Sequence, residues 1–367
     1  MLTFAKILTY FNLFLCYVKT TNTCPKSEIL CYYTKDCQTK FEIDNSNEVL
    51  KNIHISTIYH RKNENMNSNS FYRPRSALAR ALYEKQRIDN HLQEFDKDEW
   101  YRVDKTRLDP ELQEKFVQLH ADEETRDFLS ASINKSSWVW TQIWHLLARL
   151  VLKHFWSVTD INGWLGRGSM FVLSEEQARA LIRPSKPLGA AAAVVDVGAG
   201  DGEVSRRLAR LYGRRYATEI SVSMRKSLAS KGYILLDTED WWRGQQFDCV
   251  CMLNLLDRCS KPKSMLRQAK AAIAPGGVLL LALVLPYKPY VEVNPDHKPE
   301  ERLPIEGSTF EEQVNSFVSF MSGAGFELSS WARVPYLCEG DFGQAYYWLD
   351  DSVYVFKPKT INGQPDV

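Results

Sequence analysis

Gly198, Gly200 and Gly202 alternate within Val194–Val204, with acidic residues at Asp196, Asp201 and Glu203. The Val-rich run that ends in Asp196 reads as a strand, and the residues after the glycines read as the start of a helix. Alternate glycines let a backbone turn sharply and come within contact distance of a ligand that side chains would exclude. A pyrophosphate is usually held by G-x-G-x-x-G at a helix N-terminus. Here the spacing is G-x-G-x-G, and the surrounding carboxylates would repel a polyanion and suit a cationic ligand. A plain strand–turn–helix connection is the competing reading. Glu219 follows Gly202 by seventeen residues and ends the next strand candidate, where a carboxylate can accept both hydroxyls of a ribose. Asp237 ends the following strand candidate and is a candidate for facing the base. Asn254 and Asp257 lie at the exit of a fourth strand candidate, where a doubly wound sheet presents its reacting groups; ordinary exit-loop polarity is the alternative.

These residues need a parallel sheet to bring them to one edge. From Ala190 onward strand and helix patterns alternate, as crossover helices between parallel strands require. Strands are expected at Ala193–Val197, Arg215–Ile220, Tyr233–Leu236, Asp248–Leu253, Val278–Leu285, Phe326–Val334 and Val353–Phe356, with helices at Glu203–Tyr212, Met224–Lys231, Lys263–Ile273 and Phe310–Met321. A closing helix followed by two strands fits a seven-stranded sheet whose last strand is antiparallel. The expectation is therefore an α/β protein with the seven-stranded, Rossmann-like (class I) fold of S-adenosylmethionine (AdoMet)-dependent methyltransferases, whose cofactor loop the glycine pattern matches. Upstream, Leu78, Leu82 and Tyr83 recur at helical spacing through Ile88. Pro110 opens a second helix that Phe116, Leu119 and His120 continue, and Ser137 caps a third, Trp138 to about Ser157. His145, Arg149, Lys153 and His154 interrupt that last helix, which favours a core or membrane-surface helix over a span.

The chain has 367 residues, 44% apolar and 25% charged, with a formal net charge of +1. That is an ordinary globular composition. Neither the charge nor any Lys/Arg tract gives a case for nucleic acid as a partner. Lys6 followed by an apolar run to Val18 resembles a secretory signal peptide, and the run is short for a membrane span. A disordered or buried N-terminus is the alternative. A signal implies the endoplasmic reticulum, with mitochondria or cytoplasm as other addresses. In an oxidising lumen Cys24, Cys31 and Cys37 could form a disulfide, and Asn134-Lys135-Ser136 would be a glycosylation site. Cys249, Cys251, Cys259 and Cys338 read as small core residues. No ligand cluster suggests a metal. The domain plan is a possible signal peptide at 1–23, a disordered polar linker at 24–70, a helical extension at 71–189 packing on the core, the Rossmann-like domain at 190–358 and a tail at 359–367.

From about Phe128 to Lys357 the chain resembles the DREV (methyltransferase-like protein 9) family of protein-histidine methyltransferases. The resemblance rests on Ile161–Val172, the Asp196–Val204 loop, Tyr216–Glu219, Leu253–Cys259, Leu281–Pro286, Glu311–Ser316, Pro335–Asp341 and Tyr346–Asp351. It implies methyl transfer from AdoMet to the Nπ (pros) nitrogen of histidine in His-x-His motifs of protein or peptide substrates. It also implies that Glu219, Asn254 and Tyr336 contact the cofactor, beside Asp196, Gly198 and Gly200 of the loop. Asp257 and Tyr347 would hold the target imidazole, with Asn254 close to the reaction. A monomer is expected. Within Gly166-Arg167-Gly168-Ser169, Arg167 is a candidate for a carboxylate of the cofactor, or the block is a plain turn. The competing functions are an AdoMet enzyme acting on a small molecule or another protein side chain, and a catalytically silent module that keeps the fold as a binding surface.

Overall fold

The computed structural model describes residues 76–138, 144, 145, 148, 168–183, 189–291, 294–341 and 343–359. The expected signal segment, the linker with its cysteines, most of the Trp138–Ser157 helix, Arg167 and residues 360–367 lie outside the described residues.

The extension supplies α1 (Ala77–Glu94), α2 (Pro110–Lys115), α3 (Glu123–Ser137), a two-residue strand β1 (Met170–Phe171) and α4 (Glu175–Ile182). Caps set these helices. Ser76 accepts the amide of Ala79, Asp122 that of Thr125, and Ser174 forms a capping box with Gln177. Pro110 occupies the first turn of α2 as expected. That helix does not run on through Leu119. Phe116 instead bridges to Trp331, and the Val117 amide donates to the Trp331 carbonyl at 2.8 Å, which pulls the chain out of the helix. Ser137, expected to cap a following helix, is instead the last residue of α3.

The sheet domain continues with β2 (Ala193–Val197), α5 (Arg206–Ala209), β3 (Arg214–Thr218), α6 (Val222–Ser230), β4 (Ile234–Leu235) and β5 (Phe247–Leu253). It ends with α7 (Pro262–Ala272), β6 (Ile273–Val284), α8 (Phe310–Gly323), β7 (Phe326–Glu339) and β8 (Tyr346–Pro358). Helix α5 is shorter than expected. Arg210, Leu211 and Tyr212 donate to carbonyls three residues back, so the turns tighten after Ala209.

All the strands form one sheet in the order β1-β7-β8-β6-β5-β2-β3-β4. Strands β2 to β6 pair in parallel, and β8 runs antiparallel to both β6 and β7. The seven expected strands are present. The eighth is β1, contributed by the extension, which pairs Met170 with Cys338 and Phe171 with Leu337.

Alternation along the strands sends Val194, Cys249, Cys251, Leu280 and Ala282 to one face, and Val195, Val197, Val250, Leu279 and Leu281 to the other. The first face is covered by α4, α5 and α6 together with Leu92, Trp100, Tyr101 and Phe128 of the extension. The second is covered by α7 and α8 together with Leu108 and Leu112. The extension thus reaches both faces at the β7 side of the sheet. There the Trp331 indole, fully buried, donates to the Leu112 carbonyl at 2.8 Å. Along β7 the backbone edge is met by β1 at Leu337–Cys338 and by Val117 at Trp331.

Candidate active site

The glycine loop leaves the C-terminal end of β2. Gly198, Gly200 and Gly202 have φ of +72°, +56° and +79°, the left-handed region that favours glycine. The Gly198 amide is held by both the carbonyl and the hydroxyl of Thr218, each at 3.1 Å. A Cβ at Gly198 would come within 2.7 Å of Leu255, and one at Gly202 within 2.7 Å of Leu228. At Gly200 a Cβ would meet nothing within 4 Å. Leucine side chains thus close on the outer two glycines, while the middle one fronts open space.

The acidic residues of the loop are not arranged as a cluster facing a cation. Lys231 donates to Glu203 at 2.8 Å and to the Asp201 carbonyl at 2.6 Å, and Arg206 lies 3.4 Å from Glu203. These cations hold the Glu203 carboxyl below its ordinary range, against an opposing burial effect. Asp196 is buried under the loop. Burial pushes its carboxyl up to about 7, the bond with Ser205 works against that rise, and the charge of Glu219 adds to it.

Glu219 follows directly on β3 and is 9% exposed. One carboxylate oxygen accepts the Gly200 amide at 2.9 Å and the other accepts the Ser221 amide at 2.8 Å. Each oxygen retains a second acceptor position. Ile220, expected as the last strand residue, instead lies beyond the strand and is exposed, as is Val222. Asp237 is also exposed, and its carboxylate accepts the Glu239 amide at 2.8 Å.

Asn254 terminates β5 with φ of +58°, its amide donating to the Ala282 carbonyl at 3.0 Å. Its side-chain NH2 donates to Asp351 at 2.8 Å. Asp257, 2% exposed, sits in the following turn with Oδ2 at 3.1 Å from Nε of Arg258. Its charge reaches Asp351, whose carboxyl is pushed up to about 7 by burial above all. Sequence reasoning assigned Asp351 no role. Of the adjacent pair Asp350 and Asp351, only pairing with β6 determines which is buried.

Beyond the last residue of β6, β7 and β8 continue together as a hairpin. It carries Tyr336, whose hydroxyl donates to the Met170 sulfur at 2.7 Å, and Tyr347, whose hydroxyl donates to Asp341 at 3.0 Å. The extension braces this hairpin. Asp89 of α1 accepts the Ala345 amide at 2.9 Å, and Lys135 of α3 lies 3.2 Å from Glu339. Ser169 also joins it, its carbonyl accepting the Glu339 amide at 2.9 Å.

Glycine loop, Glu219, Asn254, Asp257 and the hairpin all lie at the C-terminal edge of the parallel strands, where ligands of such sheets bind. Cys249, Cys251 and Cys338 are buried core thiols as expected, while Cys259 is only partly buried. Asn134 lies inside α3 and Ser136 is buried, so the glycosylation triplet is not displayed on a loop. Among the described residues no group of three or more His, Cys, Asp or Glu is placed to hold a metal ion. No described helix is long and apolar enough to cross a membrane.

This strand order, with a glycine loop after the first parallel strand and a carboxylate after the second, defines a Rossmann-like class I methyltransferase fold. A DREV methyltransferase family model matches residues 100–358, and the chain belongs to that family of AdoMet-dependent methyltransferases. The match begins inside the extension, well before the first parallel strand. Similar solved structures include a TehB-like SAM-dependent methyltransferase from Corynebacterium glutamicum, with 14% identity over 60% of this chain and 99% of that one and a TM-score of 0.32. A putative RNA methyltransferase from Pyrococcus horikoshii has 14% identity over 46% and 76%, with a TM-score of 0.32. A putative type 11 methyltransferase from Sulfolobus solfataricus has 14% over 48% and 88%, with a TM-score of 0.31. The residues present fit the cofactor. Gly200 fronts open space, Glu219 has acceptor positions to spare, and the Asn254 Oδ1 is a buried acceptor without a partner among the described residues.

Proposed function

We propose that this protein methylates the Nπ nitrogen of histidine within His-x-His motifs of protein substrates. The observation that carries the reading is the buried Asp257 carboxylate, three residues beyond Asn254 at the exit of β5. AdoMet supplies an electrophilic methyl group on a sulfonium. In this reading Glu219 takes the ribose hydroxyls on its remaining acceptor positions, Ile220 lies along the adenine, and Asn254 and Tyr336 contact the methionine end. Asp196 supports the loop from beneath, and Gly198 and Gly200 let its backbone approach the cofactor.

The target side chain must be neutral imidazole, which has one N–H and one lone pair. Asp257 accepts the hydrogen bond from Nτ–H, which fixes the tautomer and leaves the Nπ lone pair aimed at the methyl carbon. Bound AdoMet would supply the methyl group, the C–N bond forming as its C–S bond breaks in line with the electron pair left on sulfur, and the residues' part is to align the ring nitrogen. Positive charge then develops on the ring, where the Asp257 carboxylate stabilises it, as the orienting Asp of a catalytic triad does. Tyr347 helps seat the ring from the hairpin. Alignment is the main task in such a displacement.

The test is mass spectrometry of a His-Ala-His peptide incubated with isotope-labelled AdoMet, followed by hydrolysis and separation of the two methylhistidine isomers. Label in Nπ-methylhistidine supports the reading. Label on another side chain, or cofactor binding with no transfer to histidine, overturns it. We further propose that Met1–Thr23 directs the protein to the endoplasmic reticulum. A reporter fused to that segment should enter the lumen, and a diffuse cytosolic signal would refute the assignment.

A further inference from the structure

Asp351 is 0% exposed within β8, and its ladder partner is Val284, the last residue of β6. Its Oδ1 accepts the Ser352 amide and its Oδ2 accepts Asn254 Nδ2, both at 2.8 Å. In its ionised form, which prevails above about pH 7, the carboxylate only accepts hydrogen bonds, so it selects the NH2 end of its partner and fixes the amide in one orientation. The bond from Asn254 works against the rise that burial imposes on the Asp351 carboxyl, as expected of an amide NH2 held by an anion. The Asn254 backbone is pinned as well, at φ of +58° with its N–H on the Ala282 carbonyl. What remains is Asn254 Oδ1, buried and accepting no hydrogen bond from the described residues. Buried acceptors are satisfied in the great majority of cases, so this one calls for a donor from a ligand.

We infer that Asp351 is a positioning residue that locks the Asn254 amide so that its Oδ1 accepts one N–H donor at the reacting end of the site. Two sources carry that donor, the α-ammonium group of AdoMet and a backbone N–H of the bound peptide beside its target histidine. The first rests only on cofactor binding, the second also on the histidine reading above. Asp351 touches neither ligand. It acts through Asn254, and an amide left to turn over would present its NH2 to a donor and repel it.

The test uses the full chain and two measurements: calorimetric affinity for S-adenosylhomocysteine, and kcat and KM for a His-Ala-His peptide. In D351N two amides face each other and can pair in either sense, so the orientation is lost. If the donor is the ammonium group, S-adenosylhomocysteine affinity falls about ten-fold or more. If it is the peptide N–H, that affinity holds and kcat/KM for the peptide falls by a similar factor.

The double variant N254D/D351N exchanges amide and carboxylate, so that an acceptor held by an NH2 group again faces the ligand. It should recover the affected quantity to within about three-fold of wild type, which a purely structural role for Asp351 would not produce. A folded D351N with both quantities unchanged overturns the inference. So does an exchanged variant with wild-type melting and no recovery, and this arm decides the matter if D351N alone fails to fold. If the wild-type protein does not methylate the peptide, the histidine reading fails by itself and the calorimetric arm still decides the role of Asp351.

Discussion

The Glu219 carboxylate accepts the Gly200 amide at 2.9 Å, so the end of β3 holds the middle glycine of the loop that leaves β2. Its other oxygen holds Ser221 at the start of α6, and one carboxylate thereby ties three segments of the cofactor edge together. The residue proposed to grip the ribose is also the residue that shapes the loop around it.

Glu219→Ala should therefore cost more than two ribose contacts. Charge-assisted hydrogen bonds are worth about 1.5–3 kcal/mol each, so S-adenosylhomocysteine affinity should fall by about 100-fold or more. Calorimetry on the folded variant gives the answer. An unchanged dissociation constant would remove Glu219 from the cofactor site.

Gly200→Ala separates loop conformation from ligand contact. The added methyl meets nothing in the protein, so the fold pays only the left-handed strain of about 1–2 kcal/mol. Gly198→Ala carries similar strain and also collides with Leu255. Melting should show G200A the more stable of the two, while S-adenosylhomocysteine titration should show both impaired. Wild-type affinity in G200A would mean that the open side of that glycine does not face the cofactor.

Asp257→Asn should lower turnover far more than cofactor affinity, by about 100-fold or more for one aligned electrostatic group. The amide still accepts a hydrogen bond from Nτ–H but does not stabilise the developing imidazolium as a carboxylate does. Wild-type turnover should rise with pH as the substrate histidine becomes neutral around its ordinary pKa of about 6.5. Single-turnover methylation of a His-x-His peptide across that range checks both points. Near-wild-type rates in the variant would move the search to Tyr347 and Asn254.

Asp196 and Asp351 give the ligand-free protein an unusual pH response. Both carboxyls are pushed up to about 7 in the folded state, from 3.8. The folded chain thus binds these two protons more tightly than the unfolded chain does. That contribution to stability is fully present below about pH 4, declines as pH rises, and is gone above about 7. From these groups Tm should fall between pH 5 and pH 8, and Asp351→Asn should make the slope shallower. An identical slope in the variant would contradict the assignment to Asp351.

Trp331 tests the grip of the extension on the sheet. It is fully buried against Phe116 and Tyr354, and its indole N–H holds Leu112. Trp331→Ala should destabilise the protein by about 3–5 kcal/mol, as judged by denaturant melts. A cost under 1 kcal/mol would show that the contact is dispensable.

How much of this could be read from residues alone depended on the range of the interaction. Ala193–Val197 has the expected bounds, because an apolar run closed by glycines is a local signal; Glu219, expected at the end of Arg215–Ile220, follows directly on β3, which stops at Thr218. The site ends of β7 and β8 were less legible. Pro335–Glu339 and Tyr346–Ser352 lack clean alternation and become strands by pairing with each other. The pairing of Lys231 with the loop, 30 residues from Asp201, left no local mark, so the acidic residues seemed available to a ligand. Asp351 is a buried partner of Asn254 across 97 residues, a relationship that no periodicity encodes.

The contact of Leu112 with Trp331 spans 219 residues. On a ribosome adding about 5–20 residues per second, the early segment that covers β7 waits roughly 10 to 40 seconds before its strand is made. During that interval Leu108, Leu112 and Phe116 have no native surface to cover, and one face of the growing sheet lacks its finishing strands. Closing the sheet around that early segment is for that reason a late step in making this fold, set by the last strands to be synthesised.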